Sequence, residues 1–207
     1  MANIKESGQY VSRAGSKLEF ANQLFKVDFN DKLVLDVGSS TGGFSDYALQ
    51  KGARRIIAIE LGSRQMTTSL LSSGKIELHE KTNILAVEPY NSSNKVMKLS
   101  FVPDIVLVDL SFVSLKTILP HLANLVNKNS QLVVLVKPQF EAGANDKNHG
   151  IIKNENVRRR IFRDFESWVK KYFVVKAKVD SAIIGTKGNK ERFYLLVKAL
   201  NSKSRAS

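Results

Sequence analysis

Five short apolar runs punctuate the first two thirds of the chain: Leu33 to Val37, Ile56 to Ile59, Ile76 to Leu78, Ile105 to Val108 and Leu132 to Val136. Their length and near-continuous apolar character predict strands buried on both faces. The stretches between them carry helical spacing, and strands alternating with helices predict a parallel sheet with helices on both faces, because each parallel pair needs a crossover. The expected fold class is α/β. The end of the chain departs from this rhythm. Phe173 to Val179 and Phe193 to Val197 are strand-like runs joined by a loop holding Gly185 and Gly188, with no room for a helix, so they are expected to pair antiparallel. Just before them Val157, Ile161, Phe165, Trp168 and Tyr172 recur at helical spacing, with Arg159, Arg163 and Lys170 off that stripe, which reads as core packing. A helix is expected from about Arg13 to Phe25 and a frayed tail over Ser202 to Ser207.

The 207 residues, 43% hydrophobic and 25% charged, allow one substantial domain and exclude disordered and fibrous classes. The absence of cysteine removes disulfides, thiolate nucleophiles and Cys-ligated zinc. No apolar stretch approaches the roughly 18 residues of a membrane span, and the start has no signal-like run, so a soluble, cytoplasmic protein without a membrane partner is expected. Charge is the informative part. Of a net +13, residues 151–207 hold 15 Lys/Arg against 5 Asp/Glu, or +10. Such asymmetry points to a polyanion, with nucleic acid ahead of a membrane surface.

Val34-Leu35-Asp36-Val37-Gly38-Ser39-Ser40-Thr41-Gly42-Gly43-Phe44 reads as a strand running through a small-residue turn into a helix over Phe44 to Lys51. Glycines there let a ligand approach the backbone, and the carboxyl end of the first strand is where open α/β sheets bind nucleotides. The next strand ends in Glu60, a carboxylate placed to accept from both ribose hydroxyls, so an adenosine moiety is expected. Gly38-Ser39-Ser40-Thr41-Gly42 also fits a G-x-S-x-G nucleophile elbow, with Ser40 as nucleophile and His79, His121 or His149 as partner. That reading lacks upstream strands to carry an oxyanion loop.

Asp109 closes one strand and Lys137 another, and both are expected at the sheet edge that carries the glycine loop. A lysine after a buried strand is costly unless paired or used, and Asp109 is its natural partner. A structural ion pair is the plain alternative. Lysine near another cation, or partly desolvated, can work as a base near neutral pH.

Tyr10-Val11-Ser12-Arg13-Ala14-Gly15-Ser16-Lys17-Leu18, Asp36 to Phe44, Pro103-Asp104 through Asp109-Leu110-Ser111-Phe112, Lys137-Pro138-Gln139-Phe140-Glu141-Ala142-Gly143 and Gly188-Asn189-Lys190-Glu191 together resemble the TlyA/FtsJ-type methyltransferases. These are S-adenosylmethionine-dependent enzymes of ribosomal RNA 2'-O-ribose methylation, often also labelled haemolysin A. The resemblance implies a class I methyltransferase fold, a mostly parallel seven-stranded sheet with an antiparallel last strand. It implies a helical extension over 1–30 carrying Lys17, the methyltransferase domain over 31–200 and a tail over 201–207. It places a lysine-aspartate-lysine-glutamate tetrad on Lys17, Asp109, Lys137 and Glu191. Gly38, Ser39, Gly42, Gly43 and Phe44 would border S-adenosylmethionine, with Glu60 at its ribose, Asn83 at its adenine and Asp109 near its methionine amine. No metal is implied. The family's small S4-type RNA-binding domain has no room in the dozen residues before Arg13, and Ser16 stands where members commonly have tyrosine.

The resulting expectation is in-line methyl transfer to a ribose 2'-hydroxyl, with Lys137 as base, Asp109 orienting it, and Lys17 and Glu191 positioning the ribose. The partner is ribosomal RNA or a ribosomal subunit, its phosphates held by the basic last quarter of the chain. A small-molecule O-methyltransferase would need the glycine loop and Glu60 but not the basic surface. An RNA-binding protein without catalysis, or a membrane-lytic toxin, are the remaining alternatives; the latter needs an amphipathic membrane element that the sequence lacks.

Overall fold

The computed structural model describes residues 9–93, 97–143, 146, 150–185 and 187–199. The elements run α1 (Arg13–Phe25), β1 (Leu33–Val37), α2 (Gly43–Gln50), β2 (Arg55–Ile59), α3 (Thr68–Leu71), β3 (Ile76–His79), a 3-10 turn (Ile84–Ala86), β4 (Ile105–Val108), α4 (Leu115–Leu125), β5 (Gln131–Val136), α5 (Pro138–Glu141), α6 (Glu155–Val169), β6 (Phe173–Asp180) and β7 (Arg192–Lys198). All five apolar runs are strands. Four of them pair as parallel neighbours around β1, and the seven-stranded sheet has the order β3-β2-β1-β4-β5-β7-β6.

β7 inserts between β5 and β6, antiparallel to both, so the hairpin expected at the end of the chain closes the sheet. This insertion sets Arg192 opposite Val136, and it brings Glu191 to the edge where β5 delivers Lys137. Chain reversal is the reason a residue near the end of the sequence reaches a site begun at Lys17.

Side chains alternate between two cores. Val34, Ile56, Leu107 and Val133 face one layer, where α1 contributes Leu18, Ala21 and Phe25 and α2 contributes Phe44, Tyr47 and Ala48. Leu35, Val37, Val106 and Val134 face the other, against Leu119 and Leu122 of α4 and Phe162, Phe165 and Val169 of α6. The aromatic stripe on α6 is core packing, as its spacing predicts: Phe165 and Trp168 stack at 6.3 Å and Trp168 and Tyr172 at 5.5 Å. α2 begins one residue earlier than expected, because Gly42 takes a left-handed φ of +94° as its N-cap and releases Gly43 into the helix. The tail over 201–207 lies outside the described residues.

Candidate active site

The carboxyl ends of β1, β2, β4 and β5 converge on the turn after β1. Gly38 sits there at φ +82°, and a Cβ would lie 2.7 Å from the Asp109 carbonyl oxygen, so the β1 and β4 ends approach closely only with glycine. Gly42 N–H donates to Ser39 O at 2.8 Å and closes the loop. Beneath it, fully buried Asp36 accepts a 2.6 Å hydrogen bond from Ser45 Oγ and so ties β1 to the first turn of α2. Burial pushes the Asp36 carboxyl up to about 7, against the Ser45 bond and with help from the charges of Asp109 and Glu60. Its second oxygen is buried without a hydrogen-bond partner.

Two cavities open on this edge. One of about 750 Å³ is lined by Lys17, Asp109, Lys137 and Glu191, together with Ser12, Ser39, Phe44 and Gln139. The other, about 730 Å³, is lined by Glu60, Gln65, Asn83, Ile84 and Leu110. Gly38, Ser40, Asp109, Ser111 and Phe112 border both, so the two are compartments of one bipartite cleft. Glu60 accepts from the Ser40 and Gly62 amides at 2.8 and 2.7 Å, which anchors its carboxylate and leaves each oxygen a further lone pair. Asn83 accepts from Leu85 N–H at 3.0 Å, capping the 3-10 turn and leaving its amide nitrogen as an available donor.

An adenosine-bearing cofactor with an amino-acid end fits this cleft on its chemistry. Glu60 brings acceptors and Asn83 a donor to an apolar-walled compartment, a set that suits a nucleoside. In the neighbouring compartment Ser12 Oγ, Ser39 Oγ and Gln139 Oε1 are buried without hydrogen-bond partners, polar atoms that a zwitterion would satisfy. Gly42, in contrast, borders neither cavity; its contribution is the backbone turn.

The four tetrad residues come together as two ion pairs in the first compartment. Lys17 donates to Glu191 Oε2 at 2.6 Å, with side-chain exposures of 11% and 4%. Lys137 Nζ stands 2.7 Å from Asp109 Oδ1. The latter is an ion pair by distance without hydrogen-bond alignment, and the aligned bond from Lys137 goes to Ser111 Oγ at 2.9 Å.

Ser111 therefore belongs to the site although the sequence reading passed over it. Glu141 is a second such residue. It accepts from Ser114 Oγ at 2.6 Å and from Leu115 N–H at 2.7 Å, pinning α5 to the start of α4 and fixing the far end of the turn that carries Ser111. Burial raises the Glu141 carboxyl, partly offset by these two donors. Within that turn Phe112 adopts a left-handed φ of +65°, is 89% exposed and stacks on Phe140 with centroids 5.3 Å apart. A bulky side chain held in this way is strained, and such strain concentrates at functional sites. Asn189 is the third addition: buried, it accepts from Ile152 N–H and donates to Gly150 O, joining the segment before α6 to the hairpin that carries Glu191.

The partners of Ser40, His79 and His121 overturn the nucleophile-elbow reading. Ser40 Oγ donates to Gln65 at 3.0 Å, while the His79 ring bonds Glu77 and the His121 ring bonds the Val87 carbonyl. His149 lies outside the described residues.

A mostly parallel sheet closed by one antiparallel strand, with a bipartite cleft at its carboxyl edge, defines a class I methyltransferase fold. The chain belongs to the FtsJ-like methyltransferase family, whose model matches residues 10–198. It is 36% identical over 185 residues to YqxC of Bacillus subtilis, a candidate rRNA methyltransferase, covering 88% of this chain and 64% of that one. It is 35% identical over 192 residues to the 23S rRNA (cytidine-2'-O)-methyltransferase TlyA of Campylobacter jejuni, covering 91% of this chain and 71% of that protein. Among solved structures, a candidate hemolysin from Streptococcus thermophilus superimposes with a TM-score of 0.86 at 35% identity, covering 94% of this chain and 69% of that one. The chain thus spans about two thirds of the length of these relatives. Among the described residues no helix is long and apolar enough to cross a membrane.

Proposed function

We propose that the protein is an S-adenosylmethionine-dependent RNA methyltransferase that modifies a ribose 2'-hydroxyl of ribosomal RNA in the cytoplasm. The observation that carries this reading is the pair of ion pairs, Lys17 with Glu191 and Lys137 with Asp109, in a compartment that opens directly into the one holding Glu60 and Asn83. The Campylobacter relative's name supports a cytidine 2'-oxygen as the acceptor.

When bound, the cofactor supplies an electrophilic methyl group on a sulfonium. Glu60 and Asn83 would hold its ribose and adenine, while Ser12, Ser39 and the backbone of Gly38 and Gly43 would hold its amino-acid end. Asp109, bordering both compartments, would set the junction at which cofactor and acceptor meet. Lys137 would accept the 2'-hydroxyl proton as that oxygen takes the methyl group, the electron pair of the broken carbon–sulfur bond staying with sulfur. Ser111 and Asp109 would fix the direction of Lys137 Nζ, and Lys17 with Glu191 would position the ribose. α1 would thus serve the site by delivering Lys17 to it.

The exposed face of Phe112 beside this junction suits a base drawn out of its stack. A small-molecule acceptor would need neither that platform nor the +10 of the last 57 residues. The test is incubation with methyl-labelled S-adenosylmethionine and unmodified ribosomal RNA or subunits, followed by nucleoside analysis. Label on a 2'-oxygen is the expected result; label on a base atom, or on no RNA at all while the cofactor binds, would overturn the reading.

A further inference from the structure

Outside the cleft, a second concave feature lies between α6 and the β6–β7 edge. It is a groove of about 460 Å³ lined by Arg159, Arg163, Glu166, Lys178 and Arg192, with Phe162 and Asn156 completing it. Its place is set by β7. Arg192 follows Glu191 of the tetrad, but its side chain turns to the α6 face, where the guanidinium lies 4.5 Å from the Phe162 ring centroid. The first turns of α6, with Arg159 and Arg163, descend from the same edge of the sheet.

The groove has more positive charge than its own carboxylates neutralise. Glu166 accepts two 2.8 Å bonds from Lys178 and one from Tyr194. Asp180 is engaged by Arg192 and Arg158, and Glu155 by Arg158. Those contacts leave Arg159, 69% exposed and 3.7 Å from Glu155, and Arg163, which has no partner among the described residues. Arg159 and Arg163 lie about one helical turn apart on α6, their backbones separated by about 6 Å along the axis, and both are open to solvent. The mechanism above uses neither.

We propose that this groove holds successive phosphates of the RNA strand whose ribose enters the cleft, Arg159 and Arg163 each taking one. The proposal rests on the reading of RNA as substrate. Arginine's planar fork suits phosphate oxygens, and Arg192 of the groove directly follows Glu191 in sequence, at the same end of β7. A membrane surface is the poorer match. Among the described residues that line the groove, Phe162 is the one apolar side chain, and it is buried beneath Arg192.

The experiment measures binding of the full chain to a fluorescein-labelled RNA hairpin with single-stranded flanks, across a salt series. The variants are Arg159→Glu/Arg163→Glu, the single Arg163→Gln, and Lys75→Glu/Lys128→Glu, an equal charge change in the turns before β3 and β5 at the opposite sheet edge. The groove pair is expected to weaken RNA binding at least tenfold and to reduce the slope of log affinity against log salt by about 1.5, the share of two phosphate contacts. Arg163→Gln, which leaves the fold undisturbed, should lose about half of that slope. Cofactor affinity should stay at the wild-type value. RNA affinity and slope equal to those of the control pair would overturn the proposal, as would loss of binding to anionic vesicles with RNA binding intact. Methyl transfer to RNA with an inert groove would sink the groove alone; RNA held by the groove without transfer would sink the assigned reaction and leave the groove standing.

Discussion

Lys17 and Glu191 meet at 2.6 Å although 174 residues separate them, and the contact is buried on both sides. It joins α1, on one helix layer, to the residue before β7, and so makes the last hairpin and the opening helix mutually dependent. Removing one partner strands a buried charge. Glu191→Ala is expected to cost about 3 kcal/mol of stability and to lower the melting temperature by roughly 6–12 °C. The double variant Lys17→Met/Glu191→Met should recover most of that loss and yet remain without methyl transfer. Recovery of both together would mean that the pair is only a structural clamp.

Ser111 takes the aligned hydrogen bond of Lys137, so its hydroxyl sets the direction of the amine beside Asp109. Ser111→Ala is expected to reduce kcat about tenfold, within the range of a lost positioning contact, with the cofactor dissociation constant unchanged. Ser111→Thr should restore most of kcat. Equal losses in cofactor binding and kcat would instead mark Ser111 as part of the cofactor compartment.

Asp36 gives a pH signature of stability. Its folded-state value of about 7 lies above the ordinary aspartate value of about 3.9, so the native state holds more protons than the unfolded chain between them. Folding stability from this group is fully present below pH 4 and declines as the pH rises to 7, by an order of about 4 kcal/mol, then levels off. Asp36→Asn keeps an acceptor for Ser45 and removes the titration. The wild-type minus variant difference in unfolding free energy, followed by urea titration from pH 4 to 8, should fall across this window; a flat difference would refute the assignment.

Glu141 acts on the Ser111 turn from outside the cleft. Glu141→Ala removes the acceptor of Ser114 Oγ and Leu115 N–H, and is expected to cost about 1–2 kcal/mol through the lost helix cap. Lower kcat should accompany that loss, because the Phe112 conformation depends on the turn. Amide hydrogen exchange localised to residues 109–116 would report the loosening, and unchanged protection there would contradict it.

Much of the sheet is legible in the sequence because β1, β2, β4 and β5 are buried on both faces and therefore read as apolar runs. The β6–β7 hairpin is legible from its spacing alone. Lys137 and Asp109 stand out because a charge after a buried strand demands a partner, whereas Lys17 and Glu191 emerge only through family resemblance. Ser111 and Glu141 lie inside quoted motifs and still escape a sequence reading. Their partners sit 26 and 27 residues away on other elements, and small polar residues carry no periodic signal. The Arg159–Arg163 groove was partly visible, as cations off the α6 stripe, but its second wall depends on β7 lying between β5 and β6.

The central claim is that Lys137 acts on the acceptor and not on the cofactor. Its most direct test is to measure S-adenosylmethionine affinity by calorimetry and single-turnover methyl transfer to unmodified ribosomal RNA side by side for wild type and Lys137→Ala. The account predicts an unchanged dissociation constant with the transfer rate reduced by at least 10²-fold, the usual scale of a lost general base. Transfer at the wild-type rate, or a rate restored by saturating the variant with cofactor, would contradict it.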